Sequence, residues 1–479
     1  VDLIINIMDS PHSPPSQLRS VSSSPHHQTY DFIIVGAGIA GLYAALLLQE
    51  KYGPDVSILI LERDHEIGGR ANNEMFHGVR LATGAGIGRY SRGADENPEF
   101  TDIGSFATPG QQDKAHRDRE RQIKDQLLLN LMQTMGFPLQ TFPLHVEYGP
   151  HIRPLPPDTF AHLKHSFFSS TNPQRKQVSF RAFATKVMGQ DAYQRFVDQS
   201  GYSDFEDADA EDVFLRYGME DNFCHDCVGF SVPWRDLVHR MADRIITTQT
   251  QTQNQKKNTH LVLGATVQRL LVSPRGGQRA EEDDMTMQVS YTIRRNRYKV
   301  RATQQIIVAT AVDTLRHLFP DHPIYQQIEG QPFLRVYAKF TPKSARLIQH
   351  KVGASGHLVV NPPLQKIITM DAQKGVYMIA YSDNRSARRL RRHVDNKVMF
   401  CKLVEDALDI VRGSLEIVDM RAFYWNIGTH YNLPRPIRSR RDFVDEAQHP
   451  SDRILVVGEA VSLHQGWVEG ALESVVNCI

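Results

Sequence analysis

The sequence predicts an α/β protein with a dinucleotide-binding parallel sheet, and two neighbouring stretches carry that expectation. The first is Tyr30 to Gly41, Y-D-F-I-I-V-G-A-G-I-A-G. An apolar run from Phe32 to Val35 enters a turn holding Gly36, Gly38 and Gly41, and a second apolar run, Leu42 to Leu48, follows at once. That order reads as a buried strand, a tight turn and a helix. The second stretch is Val56 to Leu61, a β-rich run ending in Glu62, about 20 residues past the last glycine. In such a unit the first glycine permits the turn, the second lets the backbone approach a pyrophosphate, and the third lets helix and strand pack closely. The helix start adds unpaired N–H groups and a positive dipole end, and Glu62 stands where an acid holds a ribose hydroxyl.

Composition bounds the rest. A chain of 479 residues can bury two or three domain-sized cores, and a net charge of +1 gives no argument for nucleic acid. Four cysteines, Cys224, Cys227, Cys401 and Cys478, are too few and too irregular for a disulfide framework, which suits a reducing, cytoplasmic setting. The opening V-D-L-I-I-N-I-M is too short to span a membrane and lacks the cationic start and cleavage site of a signal peptide. The Ser-, Pro- and His-rich residues that follow read as a disordered leader over 1–29, with Met8 as a natural start.

After Glu62 comes R-D-H-E-I-G-G-R, which puts Gly68-Gly69-Arg70, a flexible turn and a phosphate-matching guanidinium, just beyond the ribose-binding acid. The whole arrangement resembles the flavin-containing amine oxidase family, of the monoamine, polyamine and L-amino-acid oxidase type. The resemblance implies a Rossmann-like FAD-binding domain of the GR2 type, interleaved with an α+β substrate domain that carries a mixed sheet. It assigns the ADP half of FAD to Gly36, Gly38, Gly41, Glu62, Arg63, Gly69 and Arg70. The run Leu81 to Arg89, L-A-T-G-A-G-I-G-R, is similar to the family's Gly-Ala loop under the flavin, which brings in Gly86 and Arg89. Its spelling departs from the common one, and Arg89 is left open between a phosphate, a substrate carboxylate and a surface acid.

Asp95 to Glu120 is polar and reads as a loop. Ile123, Leu127, Leu128, Leu131 and Met135 predict a helix capped by Gly136, and Phe180, Phe183, Ala184, Val187 and Met188 predict another, with Tyr193, Phe196 and Val197 continuing after Gly189. The acidic run Asp204 to Asp212 reads as a solvated helix start in preference to a field that steers a cationic amine. C-H-D-C, Cys224 to Cys227, has no further ligands at compatible spacing, so no metal is expected. A helix within Phe230 to Ile246 leads into strands at His260 to Leu263 and Val267 to Val272. The low-complexity stretch Thr247 to Asn258 and the charged Ser273 to Met285 read as loops. The resemblance places a backbone amide at Val267 on the adenine. It also makes Gln305 to Ala309 the point where the chain leaves the nucleotide domain again. The expected division is thus FAD-binding segments over 30–95, 229–320 and 449–479, with substrate segments over 96–228 and 321–448.

Phe333 to Phe340 alternates, with Arg335, Tyr337 and Lys339 on one face. The family carries a lysine on this strand near flavin N5, and the aligned position here is Arg335, a permanent cation that cannot act as a neutral base. Lys339 is the fallback. Strands at Lys366 to Met370 and Val376 to Tyr381 continue the sheet, the basic run Arg385 to Arg392 reads as a solvated helix face, and Val398 to Val411 as a helix. In F-Y-W-N-I-G-T-H-Y, Phe423 to Tyr431, the resemblance places a cofactor-side tryptophan, Trp425, and an aromatic-bearing turn. Tyr431 becomes one wall of an aromatic cage, with His430 as a neighbour that could serve instead. Cysteine is missing between Cys401 and Cys478, so FAD is expected to be noncovalent.

Ile454 to Ser474, I-L-V-V-G-E-A-V-S-L-H-Q-G-W-V-E-G-A-L-E-S, carries the most specific likeness. It assigns cofactor contacts to Gly458, Glu459, Gly466, Trp467, Val468 and Ala471, makes Trp467 the second cage wall, and points a helix N-terminus at the flavin pyrimidine. The chain stops a few residues into that helix, so a truncated C-terminus is expected. Together these features imply an FAD-dependent oxidase of a small amine or amino acid, with O2 as electron acceptor and H2O2 as product. No nucleic-acid partner and no membrane segment are expected, and the oligomeric state is left open. A desaturase or porphyrinogen oxidase on the same fold and a noncatalytic flavin-binding scaffold are the alternatives.

Overall fold

Successive residues of the opening strand, Thr29–Val35, face two different cores, which is why its apolar run carries no polar alternation. Phe32 and Ile34 join one cluster with the helices Ile39–Tyr52, Trp234–Thr247 and Val468–Cys478; Ile33 and Val35 join another with Val289, Val308 and Val456. The strand therefore lies inside the sheet. It pairs in parallel with Ile58–Leu61 on one side and Asn296–Val308 on the other. Thr259–Val262 and Ile454–Val456 extend the parallel array outward. The long strand Asn296–Val308 also runs antiparallel to Met285–Ile293, which pairs with Ala265–Pro274, completing a seven-stranded sheet.

These coordinates are a computed structural model that describes residues 29–53, 55–91, 124–156, 158–170, 177–217, 227–247, 258–274, 285–353, 356–435 and 439–479. Residues 1–28 of the expected leader, the loop Asp95 to Glu120, Cys224, and most of Thr247 to Asn258 and Ser273 to Met285 lie outside them, while Thr29 opens the first strand. Among the described residues no helix is long and apolar enough to cross a membrane, and no cluster of His, Cys, Asp and Glu is arranged to hold a metal.

A second, six-stranded mixed sheet runs in the order Ile417–Asn432, Ile328–Phe340, Val376–Asp383, Lys366–Asp371, His357–Val359, Glu147–Tyr148. On one face Leu334, Val336, Ala338 and Phe340 pack under the helices Pro342–Val352 and Lys397–Leu408. The other face carries Arg335 and Tyr337, both buried, because it lies against the loop at Ala82. Four helices, Asp158–Ser169, Phe180–Met188, Gln190–Ser200 and Ala210–Arg216, gather a cluster of phenylalanines around Phe214.

The helical periodicities at 126–134 and 180–200 hold, with Gly136 (φ 72°) and Gly189 (φ 83°) at the predicted breaks. Two expectations do not. Phe423 to Tyr431 forms no turn; it continues the strand Ile417–Asn432, whose β-prone aromatics pair along Ile328–Phe340. The acidic run Asp204 to Asp212 is not a solvated helix start, since Glu206 and Asp209 are buried and, of its acids, Asp207 alone is exposed. Glu206 pairs with Arg181, Asp212 with Arg440, and Asp209 caps the helix Ala210–Arg216, so local arginines and a helix end absorb that charge.

Gly41 fixes how closely helix and strand approach, because a Cβ there would stand 2.0 Å from the Gly36 carbonyl oxygen. Backbone cannot yield as a side chain would. Gly41→Ala is expected to destabilise the protein by about 1–3 kcal/mol in urea denaturation; an unchanged midpoint would show that the helix shifts freely.

Candidate functional site

The glycine turn closes on itself through Glu62. Gly36 N donates to Leu61 O (2.8 Å), Ala37 N to Glu62 Oε2 (2.7 Å) and Asp64 N to Glu62 Oε1 (2.9 Å). Burial raises the Glu62 pKa and the two amides oppose it. Gly36, at φ 105°, leaves no room for a side chain, with Ala309 O at 2.4 Å from its would-be Cβ. Gly38 is different: it is the N-cap of Ile39–Tyr52, at an ordinary φ of −71°, and nothing lies within 4 Å of where its Cβ would be. Gly69 meets only Gly38 Cα at 3.9 Å, and Gly458 only Ala40 Cβ at 4.0 Å. Three glycines from three parts of the chain thus leave open backbone at one helix N-terminus, a cradle whose N–H groups and dipole suit a pyrophosphate. Arg63 is exposed beside Asp64, and Val267 lies in the strand whose Ala265 N donates to Glu62 O (2.7 Å).

Glu459 ties this cradle to the second sheet. Its carboxylate, 6% exposed, accepts from Arg70 Nη1 (2.9 Å), His430 N (2.9 Å) and Gly466 N (2.6 Å), and the His430 ring Nδ1 stands 2.5 Å away. Burial would lift its pKa, but His430 and Arg70 outweigh that and hold the carboxyl well below the usual range. Arg70 Nη1 also donates to Gly428 O (2.8 Å), in the strand that carries Trp425 and Tyr431.

The loop from Leu81 to Arg89 joins cradle to sheet. On the cradle side Ala85 N donates to Arg70 O (2.7 Å). On the sheet side Tyr337 Oη donates to Ala82 O (2.7 Å) and Trp425 Nε1 to Thr83 O (2.8 Å), while a Cβ on Gly86 would stand 3.1 Å from Arg335 Nη2. Arg335 is 2% exposed, and its bond from Nη1 to Ala82 O is long at 3.4 Å. Burial works against its charge, but Tyr337 and Tyr381 beside it outweigh this and raise its pKa.

The remaining residues picked from sequence fall in several places. Arg89 is engaged within the protein: its Nη2 donates to Asp125 Oδ1 (2.8 Å), its backbone N to Asp125 Oδ2 (2.6 Å), and its guanidinium lies 3.4 Å over the Trp467 ring. Trp467 is the N-cap of the helix Val468–Cys478, which begins with Val468 and buries Ala471. Tyr431 packs on the phenylalanine cluster, and among the described residues it makes no ring contact with Trp467. Lys339 lies about 13 Å along the strand from Arg335 and donates to Lys374 O at a turn; the structure does not bring the two together.

Sequence reasoning missed Lys366. A lysine opening a β-rich run reads as solvated, yet this one is 1% exposed, with Nζ 3.2 Å from the Tyr202 ring centroid and 5.6 Å from that of Tyr381. Burial pulls its pKa down to about 7, with Asp383 and Asp204 opposing. Asp383 accepts from Ser203 N, Ser203 Oγ (2.5 Å) and Gln365 Nε2 (2.9 Å). Asp204 accepts from Tyr217 Oη, and burial, with Asp383 adding to it, pushes it up to about 7.

Residues 34–103 match the NAD(P)-binding Rossmann-like domain family. No curated protein matches the sequence. Among solved structures, wild-type putrescine oxidase bound to putrescine is similar at 16% identity and a TM-score of 0.60, over 94% of this chain and 98% of that one. A double mutant from a redesign of cofactor binding in putrescine oxidase matches at 16% identity and 0.61, with the same coverage. The fold is that of putrescine oxidase. A Rossmann-like dinucleotide-binding domain with a separate mixed sheet is thereby shown for this chain.

Two outcomes follow from this geometry. Gly38→Ala is expected to leave stability within about 0.5 kcal/mol while weakening dinucleotide binding on the order of tenfold; equal affinity by titration would remove Gly38 from the cradle. Glu459→Gln is expected to cost about 1–3 kcal/mol at pH 7, because a neutral amide replaces the buried carboxylate that Arg70, His430 and Gly466 share. The Glu459 pKa is lowered on folding, so its stabilisation is complete above the unfolded value of about 4.3 and declines as pH falls toward the folded one. In denaturation curves the gap between wild type and variant should therefore narrow below about pH 4.

Proposed function

We propose that the protein is an FAD-dependent oxidoreductase that acts on a small amine or amino acid. The observation that carries this reading is the loop from Leu81 to Arg89. It touches the dinucleotide cradle through Arg70 and a buried cation, Arg335, through Ala82 and Gly86. A cofactor with its pyrophosphate at Gly38 and a reactive ring along this loop would meet both. A nicotinamide cofactor would need no Gly-Gly-Arg beyond the acid.

FAD, when bound, supplies a hydride acceptor for the C–H beside the substrate nitrogen and hands the electrons to O2 as H2O2. The chain's part is to bind, orient and polarise. The N-terminal amides of Ile39–Tyr52 would hold phosphate, and Glu62, kept in place by Ala37 N and Asp64 N, would accept from a ribose hydroxyl. The N-terminus of Val468–Cys478, opened by Trp467 and Val468, would offer a positive dipole end to negative charge on a reduced flavin. Trp467, pinned on one face by Arg89, and Tyr431 form apolar walls that exclude water. Arg335 offers a permanent cation and no base. Fold likeness to a protein that binds putrescine supports an amine as substrate.

Purified protein is expected to take up FAD and turn yellow, and an anaerobic panel of amines and amino acids to bleach it. Colourless protein that takes up no FAD would sink the reading. Yellow protein that nothing on the panel bleaches would favour a scaffold or another flavin enzyme. Trp467→Ala is expected to keep the FAD and lose on the order of 100-fold in kcat/KM through a misplaced substrate; unchanged turnover would take Trp467 out of the wall.

A further inference from the structure

Two buried basic side chains approach one ring. The Arg335 guanidinium is 4.8 Å from the Tyr381 ring centroid, and Lys366 Nζ is 5.6 Å from it. Both side chains are almost wholly buried, and neither has a carboxylate within ion-pair distance among the described residues. Among the described residues Arg335 Nε has no hydrogen-bond partner, and Lys366 Nζ rests on the ring of Tyr202. Gly201, at φ 67°, lets the chain pass so close that a Cβ would stand 2.9 Å from Lys366 Cε, so the lysine is held in place.

Of the acids nearby, Asp383 and Asp204 favour the Lys366 charge through space, but among the described residues neither forms an ion pair with either cation. Asp383 is turned to Ser203 and Gln365, which between them give it both backbone and side-chain donors. Asp204 is turned to Tyr217 Oη. A buried ion without a partner is strongly unfavourable, and unsatisfied buried donors in a folded protein call for a partner that completes them. Donors of this kind, one planar fork and one point charge beside aromatic rings, match an oxyanion on an organic body.

We propose that Arg335 and Lys366 form a clamp for a carboxylate, so that the substrate is an acid-bearing amine and not a simple diamine. The substrate class rests on the oxidoreductase reading above; the clamp itself does not. The acid group lies between the two cations with Tyr381 and Phe333 against its carbon skeleton. Arg89, the other arginine that a carboxylate might claim, is already bound to Asp125.

The test is calorimetric titration of the full chain, with and without saturating FAD, using sodium butyrate, butylamine and putrescine as probes. Butyrate is expected to bind one to one and at least tenfold more tightly than either amine. Arg335→Met and Lys366→Met are each expected to weaken it on the order of tenfold or more, with Arg335→Lys restoring part of the loss. Either amine binding better than butyrate to the unaltered protein overturns the clamp, whatever the variants do. So does butyrate binding that both Met variants leave unchanged, or an Arg335→Met that weakens FAD alone. Butyrate binding by protein that takes up no FAD supports the clamp while removing the flavin reading, so the two fail separately.

Discussion

Taking a carboxylate out of water costs several kcal/mol unless donors replace the lost hydration, and Glu459 meets that condition with groups from three separate stretches of chain. Arg70 comes from the turn after the second strand, His430 from the longest strand of the other sheet, and Gly466 from the approach to the final helix. Each stretch borders the cradle or the loop beneath it. The acid that family resemblance would hand to the cofactor is therefore first a structural joint. What it leaves for a ligand is the surrounding backbone and the rest of the Arg70 fork.

How much of this could be read from the sequence depends on how local each cause is. The roles of Gly36, Gly38 and Gly41 follow from a six-residue turn, and the structure separates them as the spacing implies: two are sterically forced and one faces open space. The helices with clean apolar periodicity were equally legible. Lys366 was not, because its burial depends on Gly201 and Tyr202 reaching it from a distant helix end. The acids of 204–212 misled for the same reason. Their partners Arg181 and Arg440 lie outside the run, and composition alone cannot show that a charge has been neutralised. Arg89 was left with three possible partners, and the one it has, Asp125, is an acid buried at the start of another helix.

The two ends of the site are electrostatically unlike. Around Glu62 and Glu459 every carboxylate oxygen has an amide or a cation against it, and the pattern is rigid. Around Tyr381 two basic side chains and two acids form no ion pair among the described residues, and burial moves the pKa values of Asp204 and Lys366 to about 7. Such a division suits a protein that grips one part of its ligand set permanently and exchanges another.

The position of the opening strand has a further consequence, for synthesis of the chain. Thr29–Val35 leaves the ribosome long before one of its two neighbours in the sheet, Asn296–Val308, and longer still before the strand beyond that, Ile454–Val456. Until they arrive, a strand apolar on both faces has an open edge. Pairings of such long sequence separation form slowly, and the nascent chain must shield Phe32 to Val35 until those distant strands are made. Efficient production of this protein should therefore depend on chaperones that engage this strand early and release it late.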